Sequence, residues 1–271
     1  MHNIDLRKLN TRTDLAVELI NKEKCKKIRK SKNVNITKIK IRKNQEKELN
    51  KRKGNYITVE FKDVTDYDNS KEVERNFSEE LKGMLKLNEI KDNSSCLVIG
   101  LGNKNCTPDS LGPNSLDDLI ITRHMFENDI DVEKGFRNVS GLSPGVMGET
   151  GIEVYDIIIG IVNRIKPDFL IVIDSLKASS IKRLNKTIQI TDSGISPGSG
   201  IGNNRKELSF DSIGIPVIAI GIPTVIDSSL INKSDRNSFI VTNVEIDFLI
   251  KKFSNIISGG INSALHQNVE S

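Results

Sequence analysis

The sequence predicts an α/β protein with a largely parallel sheet, and three observations carry that reading. The stretches Cys96–Gly100, Pro167–Asp174 and Ile215–Ile222 are short aliphatic runs. Strands covered on both faces read this way, whereas half-exposed strands alternate. Between the first two runs, Ile152, Tyr155, Ile159 and Val162 recur at helical spacing, which gives the order strand, helix, strand. Aromatic residues make up only 4% of the 271-residue chain, so Ile, Val and Leu must fill the core.

The first run ends in Gly100-Leu101-Gly102 and leads into a loop carrying Asp109, with Gly112-Pro113 as a break before an apolar helix at Leu119–Phe126. The second run, preceded by a helix at Glu149–Lys166, terminates in Asp174. A right-handed crossover lays both strands in one sheet, pointing the same way. Asp109 and Asp174 then project into one crevice at the carboxyl ends of the strands, where open α/β sheets place their chemistry. Two carboxylates there fit an acid/base pair or a metal site.

The remaining elements follow in order. Met1–Asn10 is polar and reads as a loosely held terminus. Leu15, Val17, Leu19 and Ile20 give a short helical pattern, and Val34, Ile36, Ile39 and Ile41 a strand among lysines. Tyr56–Phe61 is a strand and Asp68–Leu87 an amphipathic helix. Phe136–Gly151 is Gly-rich with a short strand at its start. Leu176–Leu184 is a short helix, Thr187–Thr191 a strand, and Asp192–Lys206 a Gly/Ser loop. Thr224–Leu230 begins another helix, Lys233–Asn237 is a surface loop, and helix fills Val244–His266 with an interruption at Gly259-Gly260.

Charge is unevenly spread. Fifteen Lys/Arg against three Asp/Glu fall between Asn21 and Lys53, leaving 25 basic and 33 acidic residues elsewhere. No aromatic side chain is interleaved there to stack bases, which favours a solvated basic insert over a nucleic-acid surface. Three cysteines without a C-x-x-C pair argue against a disulfide framework and for a reducing, cytoplasmic setting. No apolar run approaches bilayer length, so no membrane partner is expected.

Rival motifs are weaker. Gly100-Leu101-Gly102 lacks the third glycine of a dinucleotide fingerprint, and position 105 is Asn. Gly198-Ser199-Gly200 has no strand–turn–helix setting for a nucleophile elbow. The histidines are His2, His124 and His266, none beside a strand end, which weighs against a Ser–His or Cys–His enzyme.

Longer stretches carry a family likeness. LVIGLGN, TPDSLGP, LIITRHMF, SPGVMGETGIE, PDFLIVIDSL, TDSGISPGSGIGNNRKE and GIPVIAIGIPTVID resemble the spore germination proteases of endospore-forming bacteria, from about Arg12 to Asp227 and again at Phe253–His266. The resemblance implies an endopeptidase that degrades the small acid-soluble proteins coating spore DNA, in the cytoplasm of the spore core. It implies a tetrameric zymogen that removes its own propeptide, and an α/β/α sandwich similar to that of the hydrogenase-maturation endopeptidases. The family's two essential acids match Asp109 and Asp174. Its self-cleavage motif matches Arg12–Glu18, which places the cut between Asp14 and Leu15. On this reading 1–14 is a propeptide and 15–271 one catalytic domain with a basic insert at about 21–53. Acid pH favours the cut, because protonating Asp14 lowers its repulsion from the catalytic acids. The segment between Leu230 and Val244 is shorter than in longer family members, so that subdomain is expected to be reduced.

No cofactor or metal is expected, since no histidine is placed to join the two acids; an aspartic-type mechanism is favoured. The partners expected are the small acid-soluble proteins, the chain itself as zymogen substrate and further copies in a homotetramer, with no direct nucleic-acid contact. The alternatives are a metal-dependent peptidase using the same acids, or a non-catalytic protein that binds the DNA-coating proteins through the basic stretch.

Overall fold

The computed structural model describes residues 13–20, 26–29, 31–128, 130, 132–198, 205–231 and 239–267. Among these, nine strands form one sheet: β1 (Lys26–Arg29), β2 (Val34–Ile41), β3 (Gly54–Phe61), β4 (Cys96–Gly100), β5 (Val139–Leu142), β6 (Phe169–Ala178), β7 (Thr187–Thr191), β8 (Val217–Asp227) and β9 (Ile240–Val241). Their order is β1-β2-β3-β7-β8-β6-β4-β5, with β9 also on β8. The β5-β4-β6-β8 half is parallel. The β8-β7-β3-β2-β1 half is antiparallel.

The sheet is therefore mixed rather than largely parallel. One cause is the stretch between β6 and β7, which spans only 179–186. A parallel return needs a crossover of a dozen residues or more, so β7 enters reversed. The basic stretch contributes β1 and β2, which extend this antiparallel half.

Five helices matter here: α1 (Tyr67–Leu87), α2 (Leu111–Asp117), α3 (Arg123–Glu127), α4 (Val154–Ile165) and α5 (Ile246–Leu265). Strand residues alternate between two apolar clusters, as the pleat requires. Val98, Ile171, Ile173 and Ile220 pack with Phe77 and Leu81 of α1 and Phe253 and Ile257 of α5. Leu97, Ile99, Leu170 and Val172 pack with Val154, Ile158 and Val162 of α4. This double burial is why the parallel strands are aliphatic throughout.

Several boundaries differ from the sequence reading. Leu176–Leu184 is not a helix, because β6 continues to Ala178 while β8 pairs with it as far as Ile226. For the same reason β8 runs to Asp227, and only Ser228–Leu230 coils, as a 3₁₀ turn. The expected helix at Leu119–Phe126 is split. Ile120 N–H donates to Asn262 Oδ1 of α5 and Thr122 N–H to Val139 O of β5, so both are drawn away from helical partners. Helix α2 instead begins at Leu111 and tolerates Pro113 in its first turn, where backbone N–H groups have no intrahelical acceptor. The expected helix at Glu149–Lys166 begins at Val154, after a separate turn at Met147–Thr150 that Gly151 ends at φ 71°.

Helix α5 is unbroken at Gly259-Gly260. A Cβ on Gly260 would lie 2.3 Å from Phe77 Cδ1, and one on Gly259 2.6 Å from Glu74 Oε1. The pair is a contact surface for α1, not a breaker. The polar terminus at Met1–Asn10, the loop at Lys233–Asn237 and 199–204 of the Gly/Ser loop lie outside the described residues. No helix among the described residues is long and apolar enough to cross a membrane.

Candidate active site

The site lies where β4 stops and β6 does not. Gly100, the last residue of β4, pairs with Ile173, and Leu101 N–H still donates to Ile173 O at 2.8 Å. The next residue of β6 is Asp174. It is a mid-strand residue, not the strand terminus expected from the sequence. It is 7% exposed, and its Oδ1 accepts from Ser175 N–H at 2.9 Å.

Asp109 reaches the same cleft from the loop after β4, at the end of a 3₁₀ turn spanning Thr107–Asp109. Gly102 brings this loop back onto the strand end. Its φ is 114°, and a Cβ there would fall 1.9 Å from Asp109 O, so only glycine fits. Asn103 N–H donates to Asp109 Oδ2 at 2.9 Å, and Thr224 Oγ1 on β8 donates to Pro108 O at 2.6 Å. The loop is thus closed on itself at the carboxylate and tied to β8 one residue before it.

Burial pushes both carboxyls up. Asp109, half-buried, is raised by desolvation and by Glu149, against the Asn103 hydrogen bond and the Arg205 charge. Asp174 is raised well above the usual carboxylate range by desolvation, then by the charges of Asp109 and Asp14. The deeper Asp174 is pushed up more strongly, so the shallower Asp109 gives its proton up first.

Residues 13–20 occupy the cleft. Where β4 ends, the edge of β6 is open, and this segment takes it. Asp14 N–H donates to Lys177 O at 2.9 Å, and Lys177 N–H donates to Asp14 Oδ2 at 2.8 Å. Leu15 is fully buried against Leu176 and Ala178, and Ala16 against Ile39, Ile41 and Tyr56. Glu18 Oε2 accepts from Ser179 N–H and Oγ, both at 2.7 Å. The Asp14 carbonyl oxygen accepts from Gln189 Nε2 at 3.0 Å and Lys51 Nζ at 3.1 Å. Asp14, Lys51, Asp109, Asp174, Gln189 and Arg205 all line one cavity of about 1180 Å³.

Of the residues the sequence singles out, Asp14, Asp109 and Asp174 line this cavity, and Leu15 is buried against Leu176, which also lines it. Sequence reasoning missed Lys51 and Gln189. Lys51 was counted among solvated lysines. Gln189 had a signal: it is a lone polar residue between Ile188 and Ile190 in a fully buried strand. Among the described residues no three His, Cys, Asp or Glu side chains are grouped to hold a metal. His266 sits instead against Arg137 N–H and Phe136, while the backbone carbonyl of His124 accepts from Asn128.

A mixed α/β sheet with two carboxyls lining one cleft beyond a shortened strand is an architecture that suits a hydrolase. A family model described as germination protease matches residues 7–240. The chain is 46% identical to the germination protease of Priestia megaterium over 268 residues, covering 92% of this chain and 70% of that one. It is 44% identical to those of Geobacillus sp. (93% and 70%) and Bacillus cereus strain AH187 (95% and 71%). The chain belongs to the germination protease family, and so to the peptidases of spore germination.

Proposed function

We propose that the chain is an aspartic-type endopeptidase that cleaves its own Asp14–Leu15 bond and then begins the breakdown of small acid-soluble, DNA-coating spore proteins. The observation that carries this reading is the segment 13–20 held in the cleft of Asp109 and Asp174 by one backbone hydrogen bond to Lys177 and by side-chain bonds through Asp14, Glu18 and Gln189. The chain is extended at Leu15 and turns into a 3₁₀ helix at Ala16–Glu18, so the bond between Asp14 and Leu15 lies in its extended part. Side chains around the segment then select the sequence: an apolar pocket for Leu15, a tight one for Ala16, and Ser179 for the acid at Glu18.

The chemistry follows from the unequal carboxyls. Asp109, ionised, takes a proton from water as its oxygen adds to the Asp14 carbonyl carbon, and the π pair moves to the carbonyl oxygen. Asp174, protonated, stabilises that oxyanion and gives its proton to the Leu15 nitrogen as the C–N bond breaks. The proton held by Asp109 then returns to Asp174, and the new Asp14 carboxylic acid passes its proton to the Leu15 amine, leaving a carboxylate and an ammonium. The two apolar clusters on opposite sheet faces support a three-layer α/β/α arrangement, in keeping with the likeness to the maturation endopeptidases.

The test is a digestion. Trimmed protein and a purified small acid-soluble spore protein are incubated with and without chelator, and products are sequenced. Cleavage before a large apolar residue that follows an acid, insensitive to chelator, is expected. Cleavage abolished by chelator and restored by one divalent ion would establish a metal-dependent peptidase instead. Salt-sensitive binding without cleavage would leave only a binding protein.

A further inference from the structure

We infer that Lys51 and Gln189 form the oxyanion-binding site of this peptidase, a role that rests on cleavage at Asp14–Leu15. A carbonyl oxygen has two lone pairs, and on Asp14 both are met by donors: Gln189 Nε2 at 3.0 Å and Lys51 Nζ at 3.1 Å. This carbonyl belongs to the bond proposed for cleavage. Donors aimed at an oxygen that becomes negative gain strength as the reaction proceeds.

Gln189 does more than donate. Its Oε1 accepts from Ala16 N–H at 2.8 Å, so one amide side chain grips the peptide on both sides of the Asp14–Leu15 bond. The scissile N–H itself turns away, to Thr13 Oγ1 at 3.0 Å. Gln189 is rigidly held. It is 6% exposed on β7, paired with Thr58 on one side and Gly221 on the other.

Lys51 comes from the turn before β3 and is half-buried. Desolvation lowers its pKa, against the pull of Asp14 and Glu18. The cation is therefore set in a partly water-excluded site, where its attraction for a developing oxyanion exceeds that of a solvated lysine. The two donors share the negative charge with Asp174.

The experiment uses the full chain and its first-order self-cleavage at mildly acid pH. Lys51→Met and Gln189→Glu each remove one donor, and the glutamate keeps an acceptor for Ala16 N–H. Docking is followed separately, by hydrogen exchange of the 15–18 amides in an Asp109→Asn background that does not cut. The expected result is a roughly 10²- to 10³-fold slower cleavage for each variant with exchange protection unchanged. Lys51→Arg, which keeps the cation, is expected to remain within about tenfold of the parent, and it serves if the methionine variant does not fold. Cleavage at the parental rate, or slowing that tracks loss of protection, would overturn the assignment while leaving the self-processing reading intact. Parent protein that leaves Asp14–Leu15 uncut would overturn both.

Discussion

Asp174 and Gln189 pair with the same residue, Gly221, from opposite sides of β8. Their strand neighbours Ile173, Ile188 and Ile190 all face the α1/α5 side, so both polar side chains face the other way. Two strand spacings, about 9.6 Å, separate their backbones, and no side chain at 221 stands between. Leu176 fills part of that gap instead: a Cβ on Gly221 would lie 2.6 Å from Leu176 Cγ. Leu176 in turn packs on Leu15. One row across three strands thus holds the proposed proton donor Asp174 and the grip of Gln189, with Leu176, two residues further along β6, forming the floor of the apolar pocket.

The raised carboxyl of Asp174 has a consequence for stability. In the unfolded chain this group ionises near its ordinary value of 3.8, whereas in the folded chain it stays protonated to well above that. Between those two values the folded state binds the extra proton, so its stability falls as pH rises. Asp174→Asn removes that slope. The variant is expected to melt higher than the parent at pH 8, with the gain shrinking toward pH 4, and to lose on the order of 10³-fold in activity. Melting curves by circular dichroism across this range check the first expectation and a peptide assay the second. A lower melting temperature at pH 8 would contradict the burial argument.

Leu15→Lys is expected to block processing while leaving trimmed enzyme active on other substrates. The side chain is fully buried between Leu176 and Ala178, and an ammonium there has no described partner in that pocket to offset its desolvation. Leu15→Ala keeps the pocket dry but gives up about 1.5–3 kcal/mol of burial, or roughly 10- to 150-fold in docking. Gel-resolved processing time courses separate the two. Equal rates for Leu, Ala and Lys would show that this pocket selects nothing.

Gly260→Leu is expected to destabilise the fold without touching the cleft. Its Cβ would meet the Phe77 ring at 2.3 Å, forcing α1 and α5 apart at a cost of about 1–3 kcal/mol or more. A lower denaturant midpoint, with processing intact in whatever protein remains folded, is the expected pair of results. A wild-type midpoint would mean the two helices are not locked together at this point.

The parallel half of the fold was legible because its strands are buried on both faces and carry no alternation to misread. The acids were legible from their place after aliphatic runs. What escaped was decided by neighbours rather than by local sequence. Leu176-Lys177-Ala178 has no strand signature, and only pairing with β8 extends β6 through it. Gly259-Gly260 looks like a helix stop until Phe77 and Glu74 are set against it. Lys51 is one lysine among many in its stretch, and what distinguishes it is the carbonyl 37 residues away that its Nζ meets.

The most direct measurement is N-terminal sequencing of purified full-length protein after incubation at mildly acid pH, alongside Asp109→Asn and Asp174→Asn. The expected result is a product starting at Leu15 from the parent and an intact Met1 start from both variants, each still folded by circular dichroism. An intact start in fully active parent, a cut at another bond, or Leu15 product from both asparagine variants would contradict it.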